Sequence, residues 1–326
     1  MPKSANQKLK LLYIKKMLME KTDPDHQMTV NEIIAELGRY GIEAERKTIY
    51  ADIEALRQYG LDILTQKSKS TGYFIASRSF DLVELKLLAD AIAGPKFITE
   101  KKSKALIQKL GELASHSESR QLQRNVLVHN RVKTQNEHIY YNIDTINQAI
   151  TQKRSLTFKY YEYDLQKKKV YRKDGGDYVI TPYTLFWDDE NYYVIAYYDR
   201  YQNICNFRVD RMENVEVIEN PLGIPEEKFD IGTYARKTFS MFVGQEESVK
   251  LELHKSLVNV IFDKFGKEVY IRPVAGEYFQ VTLSIAVSPA FCGWLFQFGT
   301  DAKILSPDYV AREYHERAKK LLQHHN

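Results

Sequence analysis

The stretch MTVNEIIAELGRYGIEAERKTIYADIEALRQYGLDILTQKSKSTGYF, from Met28 to Phe74, decides the fold of the amino-terminal part of the chain. Apolar residues recur at helical spacing from Thr29 to Tyr40 and again from about Arg46 to Tyr59, which predicts two short helices with one buried face each. Gly41 supplies the turn between them, and Gly60 ends the second helix. The sequence therefore predicts a pair of helices joined by a tight turn.

A cationic hairpin is predicted directly after the second helix. Apolar residues alternate on both sides of the segment Gln66 to Ser70, which carries Lys67 and Lys69. Two short helices followed by a basic hairpin are typical of a winged helix-turn-helix. An ordinary α+β subdomain with a solvated basic surface is the alternative, and periodicity alone leaves it open.

The second helix carries the residues expected to reach DNA. Its amino-terminal turn would meet phosphates with both its dipole and its cations. We expect Lys47, Tyr50 and Glu54 to approach base edges. Arg46, Lys67 and Lys69 would hold phosphates and so set the register. The predicted DNA-binding residues are Arg46, Lys47, Thr48, Tyr50, Glu54, Lys67 and Lys69.

Length and composition limit the class of protein. A chain of 326 residues predicts two or three domains, and a net charge of +4 means that a nucleic-acid site must be a local patch. Cys205 and Cys292 are far apart, so we expect free core thiols. Met1 to Lys10 lacks an apolar signal core, and no run approaches the length of a membrane span. We therefore expect a soluble cytoplasmic protein with no membrane partner.

Motifs for catalysis are missing from the sequence. It contains no P-loop, no glycine-rich dinucleotide turn and no histidine–cysteine cluster with zinc spacing. We therefore predict that the protein is not an enzyme, with no catalytic residues, no bound metal and no cofactor.

Leucine seams predict a helical connector after the hairpin, with an Asp81–Glu84 capping box at its start. These seams could pack internally or against a second copy. Proteins that bind DNA at two half-sites usually dimerise, which favours a homodimer. Ser115 to Glu137 is polar and weakly periodic, and we expect a linker or a mobile strap there.

The second half of the chain predicts two β-rich parts. Five or so short strands between Leu156 and Ile218 indicate a small β-barrel or sandwich, in a region rich in the chain's 23 tyrosines. A linker begins at Asn220. Beyond it the order β-α-β-β-α-β predicts a ferredoxin-like unit with an added terminal helix.

Three segments resemble bacterial transcriptional regulators that combine a winged helix-turn-helix, a WYL domain and a carboxy-terminal extension. RKTIYADIEAL (46–56) resembles the reading helix, with Glu45 in place of the usual capping serine and Ala51 in place of the usual arginine. FRVDR (207–211) matches the Phe-Arg-x-Asp-Arg signature, and Tyr192-Tyr193-Val194 stands where Trp-Tyr-Leu is usual. WLFQFG (294–299), followed by Leu305-Ser306-Pro307, is similar to the signature of the extension.

The resemblance implies an α+β multidomain protein. Its expected parts are a winged helix-turn-helix domain (1–78), a helical connector or dimerisation segment (79–141), a WYL domain (142–220) and a ferredoxin-like carboxy-terminal extension (221–326). The WYL domain would be a small Sm-like or SH3-like β-barrel that senses a ligand and governs DNA binding. Several members of the family are thought to recognise nucleotide-like ligands.

Arginine and tyrosine on neighbouring strands of this domain could form an effector site. A guanidinium fork suits phosphate, and an aromatic ring suits base stacking. Strand alternation would place Arg208 and Arg211 on opposite faces. We expect Arg208 to face the ligand and the other arginine to pair with Asp210 or a neighbouring carboxylate. The predicted effector-binding residues are Tyr183, Tyr193, Arg208 and Arg211, although core tyrosines are an equal alternative for the first two.

The sequence thus predicts a ligand-responsive, DNA-binding transcriptional regulator. Its partners would be a double-stranded operator, a nucleotide or nucleic-acid-like effector and a second copy of the chain. We expect a repressor, although the sequence does not distinguish repression from activation. The alternative is an accessory protein of a defence or DNA-repair system whose WYL domain binds single strands as its main task.

Overall fold

The computed structural model describes residues 9–67, 70–126, 133–219, 232, 234, 237–242 and 244–325. The chain is a mixed α/β protein that folds as two compact units, residues 1–135 and residues 136–326. Within the described ranges, every helix is too short or too polar to cross a bilayer.

The first unit begins with three helices and a small antiparallel sheet. The helices are α1 (Lys10–Lys21), α2 (Val30–Arg39) and α3 (Arg46–Gln58), and the strands are β1 (Met28–Thr29), β2 (Ile63–Lys67) and β3 (Thr71–Ile75). The sheet order is β1-β3-β2. Thr29 starts α2 with a capping box, and Ile33, Ile49 and Ile53 lie in one buried core between helices and sheet. The predicted helix pair and hairpin are both present.

The first unit continues with three further helices, α4 (Leu82–Ala93), α5 (Glu100–Gly111) and α6 (His116–Val126). The predicted capping box at Asp81 starts α4. The prediction of a linker from Ser115 is wrong over α6, because Ser115 and Glu118 form a capping box by bonds of 2.9 and 3.1 Å. Leu122, fully buried, then anchors α6 against α4. Residues 127–132 of the predicted strap lie outside the described part of the chain.

A buried polar group joins α6 to the end of α1. The carboxylate of Asp23, which is only 3% exposed, accepts hydrogen bonds from the Ser115 hydroxyl at 2.6 Å and the Asp25 backbone N–H at 3.0 Å, and lies 2.7 Å from His26 Nδ1. Arg78 lies beside it, donates to the Thr22 carbonyl at 2.6 Å and lies 3.6 Å from the Glu118 carboxylate. The region between α1 and α6 is thus held by charge-assisted hydrogen bonds as well as by apolar packing.

The second unit starts with α7 (Ile139–Gln152) and a β-rich part. Its strands are β4 (Ser155–Tyr163), β5 (Lys169–Tyr171), β6 (Tyr178–Asp188), β7 (Asn191–Tyr198), β8 (Asn203–Arg208) and β9 (Met212–Ile218). The order is β5-β4-β6-β7-β8, and β9 pairs with β4. Asn142 donates to the Met212 carbonyl at 2.9 Å and joins α7 to β9. Strand β6 tolerates Pro182 because the ladder between β6 and β7 is already interrupted by a register shift next to this residue.

The carboxy-terminal part has the predicted β-α-β-β-α-β order and final helix. Its elements are β10 (Gln245–His254), α8 (Val258–Phe265), β11 (Ile271–Pro273), β12 (Tyr278–Val287), α9 (Pro289–Phe296), β13 (Ala302–Ser306) and α10 (Asp308–His325). The antiparallel sheet has the order β11-β12-β10-β13. The predicted linker at residues 220–231 lies outside the described residues. Cys205 and Cys292 are both free thiols, as predicted, but only Cys292 is buried in the core, whereas Cys205 is half-buried.

Candidate functional site

The outer face of α3 is cationic and aromatic. Ile49, Ile53 and Leu56 are buried on one side of the helix, so Lys47, Tyr50 and Glu54 are exposed on the other. Arg46 donates from Nε to the Tyr50 hydroxyl at 3.0 Å, and its guanidinium carbon lies 6.0 Å from the centre of that ring. The first two turns of α3 therefore present positive charge next to an aromatic edge.

Arg57 fixes the hairpin to α3. It donates to the Ile63 carbonyl at 2.8 Å and to the Thr65 hydroxyl at 2.9 Å, and it also forms an ion pair with Glu54. One guanidinium thus connects the exposed face of the helix to β2. This role of Arg57 is not apparent from the sequence, because helical periodicity does not reveal its partners on β2.

The remaining predicted DNA-binding residues lie around this surface. Thr48 donates its hydroxyl to the Glu45 carbonyl at 2.8 Å, so it supports the first turn of the helix. Lys67 is exposed at the end of β2. Lys69 lies outside the described residues. Glu45 makes no side-chain cap, which agrees with the departure from a capping serine noted in the sequence.

A second polar surface forms where β7 and β8 pair. Tyr193 and Arg208 lie directly opposite each other in the antiparallel ladder. Arg208 donates from Nε and Nη2 to the two oxygens of Asp210 at 3.0 and 2.8 Å. This bidentate pair holds the guanidinium in one orientation, because the fork matches the carboxylate. The structure therefore brings together two of the predicted effector-binding residues.

The prediction that alternation separates Arg208 from Arg211 is wrong. Strand β8 ends at Arg208, and Val209–Arg211 is a 3-10 turn, in which residues three apart lie on the same side. Asp210 pairs with Arg208 rather than with Arg211. Arg211 instead interacts electrostatically with Tyr160 and Glu162. Both arginines therefore lie near one tyrosine.

Tyr160 and Arg172 complete this surface and were missed in the sequence. The Tyr160 hydroxyl accepts the backbone N–H of Arg208 at 3.2 Å, and the guanidinium of Arg172 lies 5.6 Å from the Tyr160 ring centre. Arg172 also pairs with Glu162. Neither residue could be assigned from sequence, because strand pairing brings them to the β8 turn. We call Tyr160, Arg172, Tyr193, Arg208 and Arg211 the arginine–tyrosine site.

Burial shifts the pKa values of the ionisable groups in this site. It raises the pKa of Tyr160 and of Tyr193 above the ordinary phenol range, although the nearby arginines oppose this shift. Burial alone would lower the pKa of Arg208, but its bond to Asp210 reverses that effect and raises the pKa. The site thus offers phenol donors beside permanent positive charge, which suits a planar anion.

Tyr183 lies on β6, three residues before the residue that pairs with Tyr193. It lies at a register shift in β6, and Tyr197 lies close enough to raise its pKa in addition to burial. The ladder pairs Tyr193 with Phe186, farther along β6. The candidate site therefore contains Tyr193, Arg208 and Arg211 of the four predicted effector residues.

Comparison with known proteins identifies two domains. Residues 141–217 match the WYL domain and residues 245–322 match the WCX domain, so the chain carries both. The arginine–tyrosine site lies within the WYL match. A search of curated proteins found no match.

Two solved structures are similar to the chain. Proteasome accessory factor B/C (PafBC) of Arthrobacter aurescens is 18% identical, with a TM-score of 0.29 over 96% of this chain and 49% of that one. A CRISPR Cas-related protein is 15% identical, with a TM-score of 0.38 over 77% of this chain and 75% of that one. The chain thus spans about half the length of PafBC.

Proposed function

We propose that this WYL- and WCX-containing chain is a ligand-responsive, DNA-binding transcriptional regulator rather than an enzyme. In this proposal the first unit reads duplex DNA through a winged helix-turn-helix, and the WYL domain is an Sm-like or SH3-like barrel that senses a nucleotide or nucleic-acid-like effector. The carboxy-terminal part is a ferredoxin-like extension. The observation that carries the proposal is the exposed cationic face of α3, fixed to the hairpin by Arg57.

The geometry of α3 supports DNA reading. Its buried side faces the core, so the exposed side can enter a major groove without disturbing the packing. Lys47, Tyr50 and Glu54 would then reach base edges, while Arg46 and Lys67 would hold phosphates. Because Arg57 joins helix and hairpin, both would contact the duplex in one fixed relation.

The arginine–tyrosine site supports effector sensing. The Arg172 guanidinium lies 5.6 Å from the centre of the Tyr160 ring, and Arg208 and Arg211 interact electrostatically with the same tyrosine, so the site offers positive charge for a phosphate beside an aromatic residue. We propose a repressor that acts as a homodimer. In such a dimer the DNA-binding parts of the two copies would adopt two relative arrangements. An effector bound at this site would change DNA affinity only as far as it binds one arrangement more tightly than the other.

The central test compares duplex and single-stranded DNA. We expect full-length protein to bind a duplex of its own upstream region more tightly than a random duplex of equal length, at one stated salt concentration. Fluorescence anisotropy measures both affinities. Equal binding of both duplexes, together with tighter binding of single strands, would contradict the proposal and support an accessory protein of a defence or repair system.

Arg208→Ala should separate effector binding from DNA binding. With 5′-phosphorylated oligo-dT as the probe, the substitution is expected to weaken probe binding roughly tenfold to a hundredfold, because it removes a positive charge and leaves the Asp210 carboxylate without the guanidinium that neutralises it. Binding of the upstream duplex should persist but should no longer respond to the probe. Arg200→Ala, at an exposed arginine of the same unit, is the matched control. Equal loss of both binding activities in Arg208→Ala would count against the effector assignment.

An exposed apolar stripe on α4 supports the homodimer. Val83 and Leu87 are 65% and 66% exposed and lie one turn apart on the helix, and Phe80, which is 38% exposed, precedes the cap residue Asp81. A second copy is the proposed occupant, because two joined heads would reach two half-sites.

Leu87→Glu is therefore expected to convert dimer to monomer, since a carboxylate would be buried in an apolar contact. Light scattering after size exclusion measures the mass, and circular dichroism checks the fold. Leu165→Glu, at a leucine 97% exposed in the β4–β5 hairpin, is the control. A Leu87→Glu protein that remains dimeric would place the contact elsewhere.

A further inference from the structure

A buried aromatic cluster lies next to the arginine–tyrosine site. Phe158 and Tyr178 stack at 5.4 Å between ring centres, and Tyr178 and Tyr198 lie 5.7 Å apart. Tyr160 and Phe207 meet the same rings edge to face. All members are nearly covered. We call Phe158, Tyr160, Tyr178, Tyr198 and Phe207 the aromatic cluster.

Two cationic side chains lie over rings of this cluster. The ammonium of Lys173 is 4.1 Å from the ring centre of Tyr178 and 5.2 Å from that of Tyr198. Arg172 lies over Tyr160 in the same way. Both belong to the segment Arg172–Asp177 between β5 and β6, which we call the roof loop. A ligand that replaced Lys173 on these rings would leave the lysine ammonium free to pair with a negative group of the ligand.

The roof loop adopts an unfavourable backbone conformation. Lys173 and Asp174 have φ angles of 54° and 53°, and Gly175 follows at 82°. Consecutive non-glycine residues in the left-handed region are disfavoured by clashes of their Cβ atoms. The Lys173 ammonium donates to the Asp177 carbonyl at 2.9 Å, the Gly176 N–H donates to the Lys173 carbonyl at 2.9 Å, and Arg172 pairs with Glu162. Strain of this kind is typical of segments that move when a ligand binds.

A buried hydroxyl lies beneath this loop. Tyr198 is only 3% exposed, and among the described residues its hydroxyl has no hydrogen-bond partner. Buried polar atoms without a partner are rare in folded proteins because they lose their hydration without compensation. Tyr201, which is exposed, meets the Tyr198 ring edge to face at 5.0 Å, so the hydroxyl belongs to a tyrosine close to the surface.

We propose that the roof loop covers a stacking subsite for the base of a nucleotide or of a 5′-phosphorylated single strand. The base stacks on Tyr178 in the position that Lys173 holds in this structure, and the hydroxyl of the neighbouring Tyr198 bonds to the base edge. The displaced Lys173 pairs with the phosphate, with Arg172 beside it. This inference rests on the proposed effector sensing and extends it to a second position next to the arginine–tyrosine site.

Charge and shape select this class of ligand. A neutral aromatic compound would displace Lys173 from the rings without giving its ammonium a new partner. A compact phosphate would pair with the ammonium but would leave the Tyr198 hydroxyl unsatisfied. A base with a phosphate attached satisfies the ring faces, the hydroxyl and the cation together.

The test measures binding of thymidine 5′-monophosphate and 5′-phosphorylated oligo-dT to the full chain by calorimetry. Tyr198→Phe removes only the hydroxyl. It is expected to lower the affinity for both probes about tenfold, which is the usual effect of losing one buried hydrogen bond. Its melting temperature should not fall, because that hydroxyl has no partner within the described chain. Lys173→Met should weaken phosphorylated oligo-dT more than the same strand with a 5′-hydroxyl. Lys168→Met, at an exposed lysine of the preceding turn, should match the wild type.

Several results would overturn the subsite. The first is a wild-type protein that binds neither probe. The second is a Tyr198→Phe protein with wild-type affinity for both probes. The third is a Lys173→Met protein that loses equal affinity for the 5′-phosphorylated strand and for the strand with a 5′-hydroxyl. Binding of the oligonucleotide alone, with the expected dependence on Tyr198, would assign the subsite to strand ends; binding of both probes would assign it to single nucleotides. The comparison of upstream and random duplexes by wild-type protein tests the regulator separately, so the two failures are distinguishable.

Discussion

The double substitution Lys47→Ala and Tyr50→Ala is expected to lower affinity for the upstream duplex about a hundredfold. Each side chain would contact a base edge, and such contacts contribute roughly 1–3 kcal/mol each. Tyr50 also holds Arg46 by a 3.0 Å hydrogen bond, so its loss releases a phosphate contact as well. Fluorescence anisotropy with upstream and random duplexes measures the effect.

Controls separate reading of sequence from attraction to phosphate. Lys16→Ala changes an exposed lysine on α1 and should leave both affinities unchanged. Tyr50→Phe keeps the ring and isolates the role of the hydroxyl. Arg46→Ala or Lys67→Ala should weaken all duplexes alike and reduce the salt slope by about one. If the double variant weakened random and upstream duplexes equally, α3 would not be the reading helix.

Asp23→Ala is expected to destabilise the first unit by about 3 kcal/mol, which would lower its melting temperature by on the order of 10 °C. The substitution removes an acceptor that the Ser115 hydroxyl, the Asp25 backbone N–H and the His26 ring all contact. Calorimetry of the full chain measures the loss. Asp25→Ala keeps the backbone donor and changes only an exposed side chain, so it should have little effect. An unchanged transition in Asp23→Ala would show that Leu122 packing alone secures α6.

The same carboxylate gives the first unit an acid-sensitive stability. Burial raises the pKa of Asp23, but hydrogen bonds to Ser115 and His26 outweigh burial and hold the pKa below its ordinary value of 3.8. A carboxyl group with a lowered pKa in the folded state stabilises the fold above its unfolded-state pKa, and this contribution disappears as pH falls through the folded-state value. Wild-type stability should therefore decrease more steeply below about pH 4 than that of Asp23→Asn. Parallel pH profiles of the two proteins would contradict this.

Local patterns in the sequence predicted local structure well. The apolar stripe of α3 and the capping box at Asp81 gave helices with nearly correct ends, because both depend on residues within one or two turns. The capping box of Ser115 and Glu118 carried the same signal and was passed over in favour of the polar composition around it. A local rule could therefore have found α6.

Contacts between distant segments could not be predicted in the same way. Arg208 and Arg211 were placed on opposite faces because the strand was assumed to continue, whereas it ends in a 3-10 turn. Arg172 reaches Tyr160 only because β5 folds back on β4, and Arg57 reaches Thr65 only because the hairpin folds back on α3. Such pairs depend on strand register, which the composition of either strand alone does not determine.

The bond between Asp23 and Ser115 matters to anyone who transplants the amino-terminal helices and hairpin into another protein. A cut after residue 78 would leave the Asp23 carboxylate and Arg78 without their partners on α6, and both are nearly buried in the intact unit. A graft that carries residues 9–126 keeps Ser115 with Asp23 and Glu118 with Arg78. Chimeric proteins built from these elements should therefore be joined beyond α6.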